Sequence, residues 1–394
     1  MKTNHFIIAL SILIIFFVGV ASCDSKRDKI GGDKTNTSVT QKVPVTYNIY
    51  VENSGSMAGY CNMSNQAALE TVVDDYYRVL NSQNDSSDVT LNFINTSIER
   101  SSYDITRFRN SIKGKCTAQY TKIDDMLNMM MDSVRNNCVN FLFSDYVFTT
   151  NNGNLQTAAN AITEMFTKQL KNKDLAVAIY KYMVDFNGKY YPGGIRCSKP
   201  LPLYVWVFGS RKNVRDVTRM PFNTQNCGMY FLQKASNVDF CLEAKSARMI
   251  SSDKKTIFVS KWNEERHQDY YEIKLSANLH DILLTEDALT TTSAYKLKSS
   301  NSTVYEIFNI EKKDADNYVF RIRTVNSKPA PGILQICYPV TTPSWVDASN
   351  FNGTGIPSDS TTYGISYLIN GVTKAFKDVS NNNYNYFDVK LNLE

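Results

Sequence analysis

The chain reads as an α/β protein: a doubly wound, mostly parallel sheet with helices on both faces, followed by a β-rich, sandwich-like half. Three observations predict this. Between residues 45 and 222, short apolar runs alternate with amphipathic helical stripes. From 223 to 394, that rhythm gives way to short alternating or aromatic-rich runs separated by turn residues. The folded part is also long enough for two domains, at about 350 residues against roughly 100–200 per domain.

Residues 45–51 are the first expected strand. Leu69, Val72, Val73, Tyr76 and Leu80 then recur at helical spacing. A strand is expected at 89–94, and Ile123, Met126, Leu127, Met130 and Val134 give a second apolar helix face. Residues 139–143 read as a strand, and Leu155, Ala159, Ile162, Phe166 and Leu170 as a third helix stripe. Runs 175–184 and 203–208 close the series. Strands separated by helices imply right-handed crossovers and a parallel sheet covered on both sides. The last two strands break the pattern. Between them Asp185-Phe186-Asn187-Gly188-Lys189-Tyr190 reads as a hairpin with Asn-Gly in its turn.

In the second half, runs 256–262, 270–275, 303–308, 318–325 and 333–338 read as strands at sandwich-like spacing. Ile365, Leu368, Ile369, Val372 and Phe376 predict one late helix, weakened by Gly371. Residues 339–362 form a long aperiodic loop, which is expected to be functional or mobile.

The amino terminus carries a different message. Lys2 precedes the uncharged apolar run 6–20, too short for a membrane span and suited to a signal-peptide core, so residues 1–22 read as a signal peptide. The small residues before Cys23 resemble the bacterial lipobox, which implies that Cys23 is lipidated and becomes the mature N-terminus. Residues 23–44 are polar and aperiodic and read as a tether. As a flexible coil it spans on the order of 25 Å. The expected location is the cell envelope, with the lipid anchor in the outer membrane of a Gram-negative bacterium.

Seven cysteines follow Cys23: Cys61, Cys116, Cys138, Cys197, Cys227, Cys241 and Cys337. Export permits disulfides, an odd count leaves one thiol unpaired, and no CxxC pair marks a zinc or redox centre. Cys138 opens an apolar run and reads as a buried thiol; Cys197 with Cys227 is one possible bridge. The net charge is only +5 and the basic residues are scattered, which argues against nucleic acid as a partner.

The densest chemistry lies at the end of the first strand, in Glu52-Asn53-Ser54-Gly55-Ser56-Met57. One carboxylate and two hydroxyls on a tight loop are hard oxygen ligands that suit Mg²⁺, Mn²⁺ or Ca²⁺. In an α/β sheet, ligands gather at such carboxyl ends. Ser144-Asp145 follows the strand 139–143, and Thr121 precedes the second stripe, three residues before Asp124, where it could equally cap that helix.

This set resembles the metal-ion-dependent adhesion site of von Willebrand factor type A domains, with its Asp-x-Ser-x-Ser loop, a threonine on a second loop and an aspartate after the fourth strand. The resemblance implies that Glu52, Ser54, Ser56, Thr121 and Asp145 surround a divalent ion, with Thr117 as the fallback for the threonine. It also implies a protein ligand whose acidic group completes the coordination, and no enzymatic activity. Glu52 departs from the family's aspartate by one methylene, which either shifts a bridging water or crowds the ion. A hydrolase built on Ser56 is disfavoured: Gly-x-Ser-x-Gly is absent, and the only histidines beyond the signal segment, His267 and His280, lie in the β-rich half. A structural envelope scaffold without metal is the other alternative.

Overall fold

A computed structural model describes residues 45–394 except 83–88, 120, 136, 150–153, 192, 244–247, 264–269, 326 and 382. The expected signal peptide, Cys23, the expected tether and His267 lie outside the described residues. Among the described residues, no helix is long and apolar enough to cross a membrane.

The first sheet has seven strands: β1 (Thr46–Glu52), β2 (Val89–Ile94), β3 (Ile98–Arg100), β4 (Cys138–Ser144), β5 (Leu175–Tyr190), β6 (Ile195–Ser210) and β7 (Gly228–Leu232), in the order β3-β2-β1-β4-β6-β5-β7. Five helices accompany them: α1 (Leu69–Ser82), α2 (Ile105–Lys115), α3 (Ile123–Asp132), α4 (Leu155–Asn172) and α5 (Arg211–Thr218). Strand β1 pairs in parallel with β2 and with β4, as strands joined by helices do. Its side chains alternate between two cores. Tyr47, Ile49 and Val51 join a cluster with residues of α1, α2 and α5, while Tyr50 joins one with residues of α3 and α4.

The sheet is mixed, and the expected parallel run stops at β4. A short turn joins β5 to β6, so the two must run antiparallel, and β6 slots between β4 and β5 with its direction reversed. Their pairing runs from Leu175 opposite Ser210 to Tyr190 opposite Ile195. The turn is therefore at 191–194, and Asn187-Gly188 lies within the strand. Gly188 answers a different need. A Cβ there would stand 2.8 Å from the Cα of Gly59, because the 3₁₀ turn Met57–Tyr60 packs directly on β5. Beyond the register of Ser144 with Tyr204, where β4 ends, β5 and β6 continue as a free two-stranded arm. That arm overhangs the carboxyl ends of β1 and β4.

The second half adds β8 (Ser236–Asn237), β9 (Asp239–Glu243), β10 (Thr256–Ile257), β11 (Glu272–Asn278), β12 (Lys296–Ser299), β13 (Tyr305–Lys312), β14 (Asn317–Thr324), β15 (Gly332–Pro339), β16 (Asn350–Phe351), β17 (Thr362–Tyr363) and β18 (Asn385–Leu393). Its helices are α6 (Val259–Trp262), α7 (Glu286–Thr290), α8 (Ser344–Ala348) and α9 (Ile365–Val379). One sheet runs β10-β18-β15-β12, with β8 also on β18; another runs β13-β14-β11-β9. Buried residues of both, such as Leu275, Phe320, Ile336 and Val389, share one apolar cluster. Strand β14 alternates buried and half-buried along its whole length, as a strand with one covered face should.

The expected boundary at 222/223 is crossed three times, and the described residues form one compact unit. Strand β7 pairs with β5 at the edge of the first sheet. Helix α9 packs its apolar stripe on α4 and joins the core of the first half. Gly371 does not weaken this helix, since a Cβ would meet the Ala159 carbonyl at 2.7 Å. The bare backbone lets the two helices touch, and Thr163 Oγ1 donates to the Gly371 carbonyl at 2.9 Å. Residues 339–362 are strapped across the arm: Lys199 Nζ donates to the Pro357 carbonyl, and the Tyr363 amide to Tyr190 Oη at 2.8 Å.

Candidate functional site

The carboxyl ends of β1 and β4 bring the expected residues together. Glu52 ends β1, and the backbone turns at once: the Met57 amide donates to the Ser54 carbonyl at 3.1 Å and starts the 3₁₀ turn. A second loop fixes this one from the side. The Gly55 amide donates to the Ala118 carbonyl at 2.9 Å, and the Ala118 amide to the Asn53 carbonyl at 3.1 Å. The chain then reaches Thr121, whose hydroxyl donates to Glu52 Oε1 at 2.6 Å. Thr121 is therefore no helix cap, the cap position of α3 being Lys122. Thr117 is exposed and its hydroxyl is spent on the Lys115 carbonyl, so it takes no part.

Two hydrogen-bonded chains result. In one, Thr121 and Ser144 donate to the two oxygens of Glu52, and the Tyr146 amide donates to Ser144 Oγ at 2.9 Å. In the other, Ser54 and Ser56 hydroxyls stand 3.0 Å apart, Ser56 donates to Asp145 Oδ2 at 2.6 Å, and the Val147 amide donates to Asp145 Oδ1 at 3.1 Å. The added methylene of Glu52 thus carries its carboxylate out to two hydroxyls on neighbouring loops. Ser144 is the member that the sequence reading left out; its position immediately before Asp145, at the end of a strand, was the available signal.

Glu52, Ser54, Ser56, Ser144 and Asp145 are all buried, and Thr121 is half-buried. Burial, then the charge of Asp145, pushes the Glu52 carboxyl up to about 7, against the lowering by its hydroxyl donors. Burial raises Asp145 as well, opposed by Ser56 and the Val147 amide. Neither carboxylate forms an ion pair among the described residues. Two acids buried side by side without a base need either a proton or a cation to neutralise them.

The donor set fits a hard divalent ion: two carboxylates and four hydroxyls, with no soft ligand. Among the described residues no group of three or more His, Cys, Asp and Glu is placed to hold a metal, so hydroxyls would have to supply most of any coordination here. An open coordination position is harder to accommodate. Tyr60, Tyr190 and Tyr204, all buried, lie close enough to Asp145 for its charge to add to the raising of their phenols, which is chiefly due to burial. Tyr60 Oη donates to the Pro202 carbonyl of the arm at 2.9 Å, and Tyr204 Oη to Thr362 Oγ1 of the strap at 3.4 Å. The arm and the strap roof the cluster.

The Ser56 hydroxyl is donated to Asp145, and no histidine partners it among the described residues. His280 belongs to the other half, where Nδ1 stands 2.8 Å from Asp316 Oδ2. A serine–lysine contact that sequence spacing does not reveal joins Lys181 Nζ to Ser349 Oγ at 2.6 Å. Burial lowers Lys181, yet Ser349 has no exposed surface and Lys181 also donates to the Ser360 carbonyl at 2.9 Å. This pair anchors the strap to β5. Compared with protein-family models, curated proteins and solved structures, the chain matches none.

Proposed function

We propose that this chain is a lipid-anchored, non-enzymatic protein of the bacterial cell envelope, held at the outer membrane through Cys23. On this reading its first half is a von Willebrand A-like domain, its second half is sandwich-like, and together they hold a protein partner. The divalent ion, where present, sits inside the fold as a strut between Glu52, Ser54, Ser56, Thr121 and Asp145 and does not reach out to the partner. The observation that carries this reading is the burial of that oxygen cluster beneath the arm and the strap. A partner-bridging ion needs an exposed position, and a strut does not. Binding to the folded state alone would raise the melting temperature with cation concentration.

Melting curves at neutral pH with Mg²⁺, Mn²⁺ or Ca²⁺ against a chelator test the strut. At least one ion raises the melting temperature, and Ser56→Ala reduces that rise. The absence of a shift with all three leaves a proton-neutralised scaffold. The anchor is tested separately, since Cys23→Ala moves the protein out of the membrane fraction.

A further inference from the structure

We propose that Cys61 and Cys116 form a disulfide in the oxidised protein, stapling the Ser54–Ser56 loop to the segment that follows α2. Cys61 follows the 3₁₀ turn directly, and Cys116 follows α2 directly. The turn and α2 pack together, and both cysteines belong to the same apolar cluster. The ladder between Asn53, Gly55 and Ala118 holds their two loops in register. Both thiols are buried beside the same loop: Cys61 Sγ donates to the Met57 carbonyl at 3.6 Å and Cys116 Sγ to the Glu52 carbonyl at 4.0 Å, and the two lie close enough for Cys116 to raise the Cys61 thiol. A bridge needs two cysteines brought within reach of one another by a backbone that is already fixed, and the packed turn, α2 and the loop ladder supply that.

The other five described cysteines have different surroundings. Cys138 accepts from Asn48 Nδ2 at 3.0 Å, Cys197 lies by Lys199, Cys227 by Tyr182, Cys337 by Asp388, and Cys241 pairs across the sheet with Ser276. The bridge between Cys197 and Cys227 considered from the sequence does not form. Cys197 is opposite Gly188, and Cys227 precedes Gly228, which is opposite Lys181. Seven residues of β5 separate those two registers, roughly 23 Å at about 3.3 Å per residue.

The reaction is disulfide exchange. Two thiols of this chain and one disulfide of an envelope thiol oxidant give one disulfide here and two thiols on the oxidant, which take both protons and both electrons. In the closed fold the neighbouring thiol and burial raise Cys61 far above the ordinary thiol range, so no reactive thiolate is available there. Both thiols are buried once the fold closes, out of reach of an oxidant's disulfide, so exchange precedes closure, while the chain folds after export. Closed in this way, the bond is shielded from reductants.

The oxidising compartment rests on the export reading above, and the experiment separates the two. The full chain is purified in detergent without reductant, alkylated in denaturant and mapped by mass spectrometry. A linked Cys61–Cys116 peptide supports the proposal. Both cysteines alkylated in a chain that carries lipid at Cys23 overturns it. Where Cys23 carries no lipid, the export reading has failed, and oxidised glutathione decides the pairing: a first bond between Cys61 and Cys116 supports it, and any other first bond, or none, overturns it. Closing a loop of this size also has a thermal signature. Dithiothreitol during unfolding lowers the melting temperature of the wild type by about 5 °C and leaves a Cys61→Ser/Cys116→Ser variant unchanged.

Discussion

Two sites, one in each half of the molecule, treat charge in opposite ways. On β14 of the second half, Arg321 pairs with Glu272 at 2.6 Å and Arg323 with Glu306, while both guanidinium groups lie over the Phe308 ring, 4.9 Å from its centroid. Each arginine is partly exposed and each acid has its base. In the first half, Glu52 and Asp145 share a buried site with hydroxyls and one backbone amide and no base among the described residues. The Arg323–Glu306 pair is exposed on both sides, and such surface pairs are screened and nearly dispensable. The buried acids are hydrogen-bonded by their own chain but not neutralised by it, and the difference marks them as the place where something from outside, a proton or an ion, enters the stability of the fold.

The sharpest way to break this contrast is to titrate it in the presence of a chelator. Glu52 has a folded value near 7, above the ordinary carboxyl value of 4.5, so the folded state holds its proton more tightly than the unfolded state. The sign follows: the contribution is full below about pH 4.5, shrinks as pH rises, and is lost above about 7. At roughly 1.4 kcal/mol per unit, the fall amounts to roughly 3 kcal/mol. Chemical denaturation from pH 4.5 to 8 should show it, Glu52→Gln should flatten it, and a bound divalent ion should cancel it. An unchanged slope in Glu52→Gln would show that another group is responsible.

A packing variant at the same site ranks next. In Gly59→Ala the new Cβ would stand 2.3 Å from the Phe186 ring. The roof must lift or the ring must turn, at a cost of about 1–3 kcal/mol by denaturant midpoint. Smallest of all is Arg323→Ala on β14. The loss of one exposed pair should cost about 0.5 kcal/mol or less, and less still in high salt. A loss above 2 kcal/mol would erase the proposed contrast between the two sites.

Much of this was legible in the residues, for reasons that differ by element. Helices α1, α3, α4 and α9 carry wide apolar stripes and appear where the spacing puts them. Strands β1, β2 and β4 are mostly apolar because both of their faces are covered, and each has an asparagine in its interior, Asn48, Asn92 and Asn140. The candidate site was legible because its members are short polar residues at strand ends, where few other roles compete. Helix α2 escaped notice since it buries only Phe108 and Ile112. The turn of the long hairpin was misplaced because Asn-Gly is a strong local signal, while the approach of Gly59 that Gly188 serves is a contact over more than a hundred residues. The roof over the site was equally hidden, being made by residues 190–204 and 349–363, far along the chain from Glu52.

Helix α9 adds a consequence in time. It arises from the last thirty residues, yet it closes the core over α4, which is made more than two hundred residues earlier. As the ribosome delivers the chain, the apolar face of α4 stays uncovered until synthesis is nearly complete. Contacts of such long sequence separation form late and slowly. A chain of this design remains open and threadable for most of its production, and a cut near residue 364 leaves an exposed apolar face where the native protein has a seam.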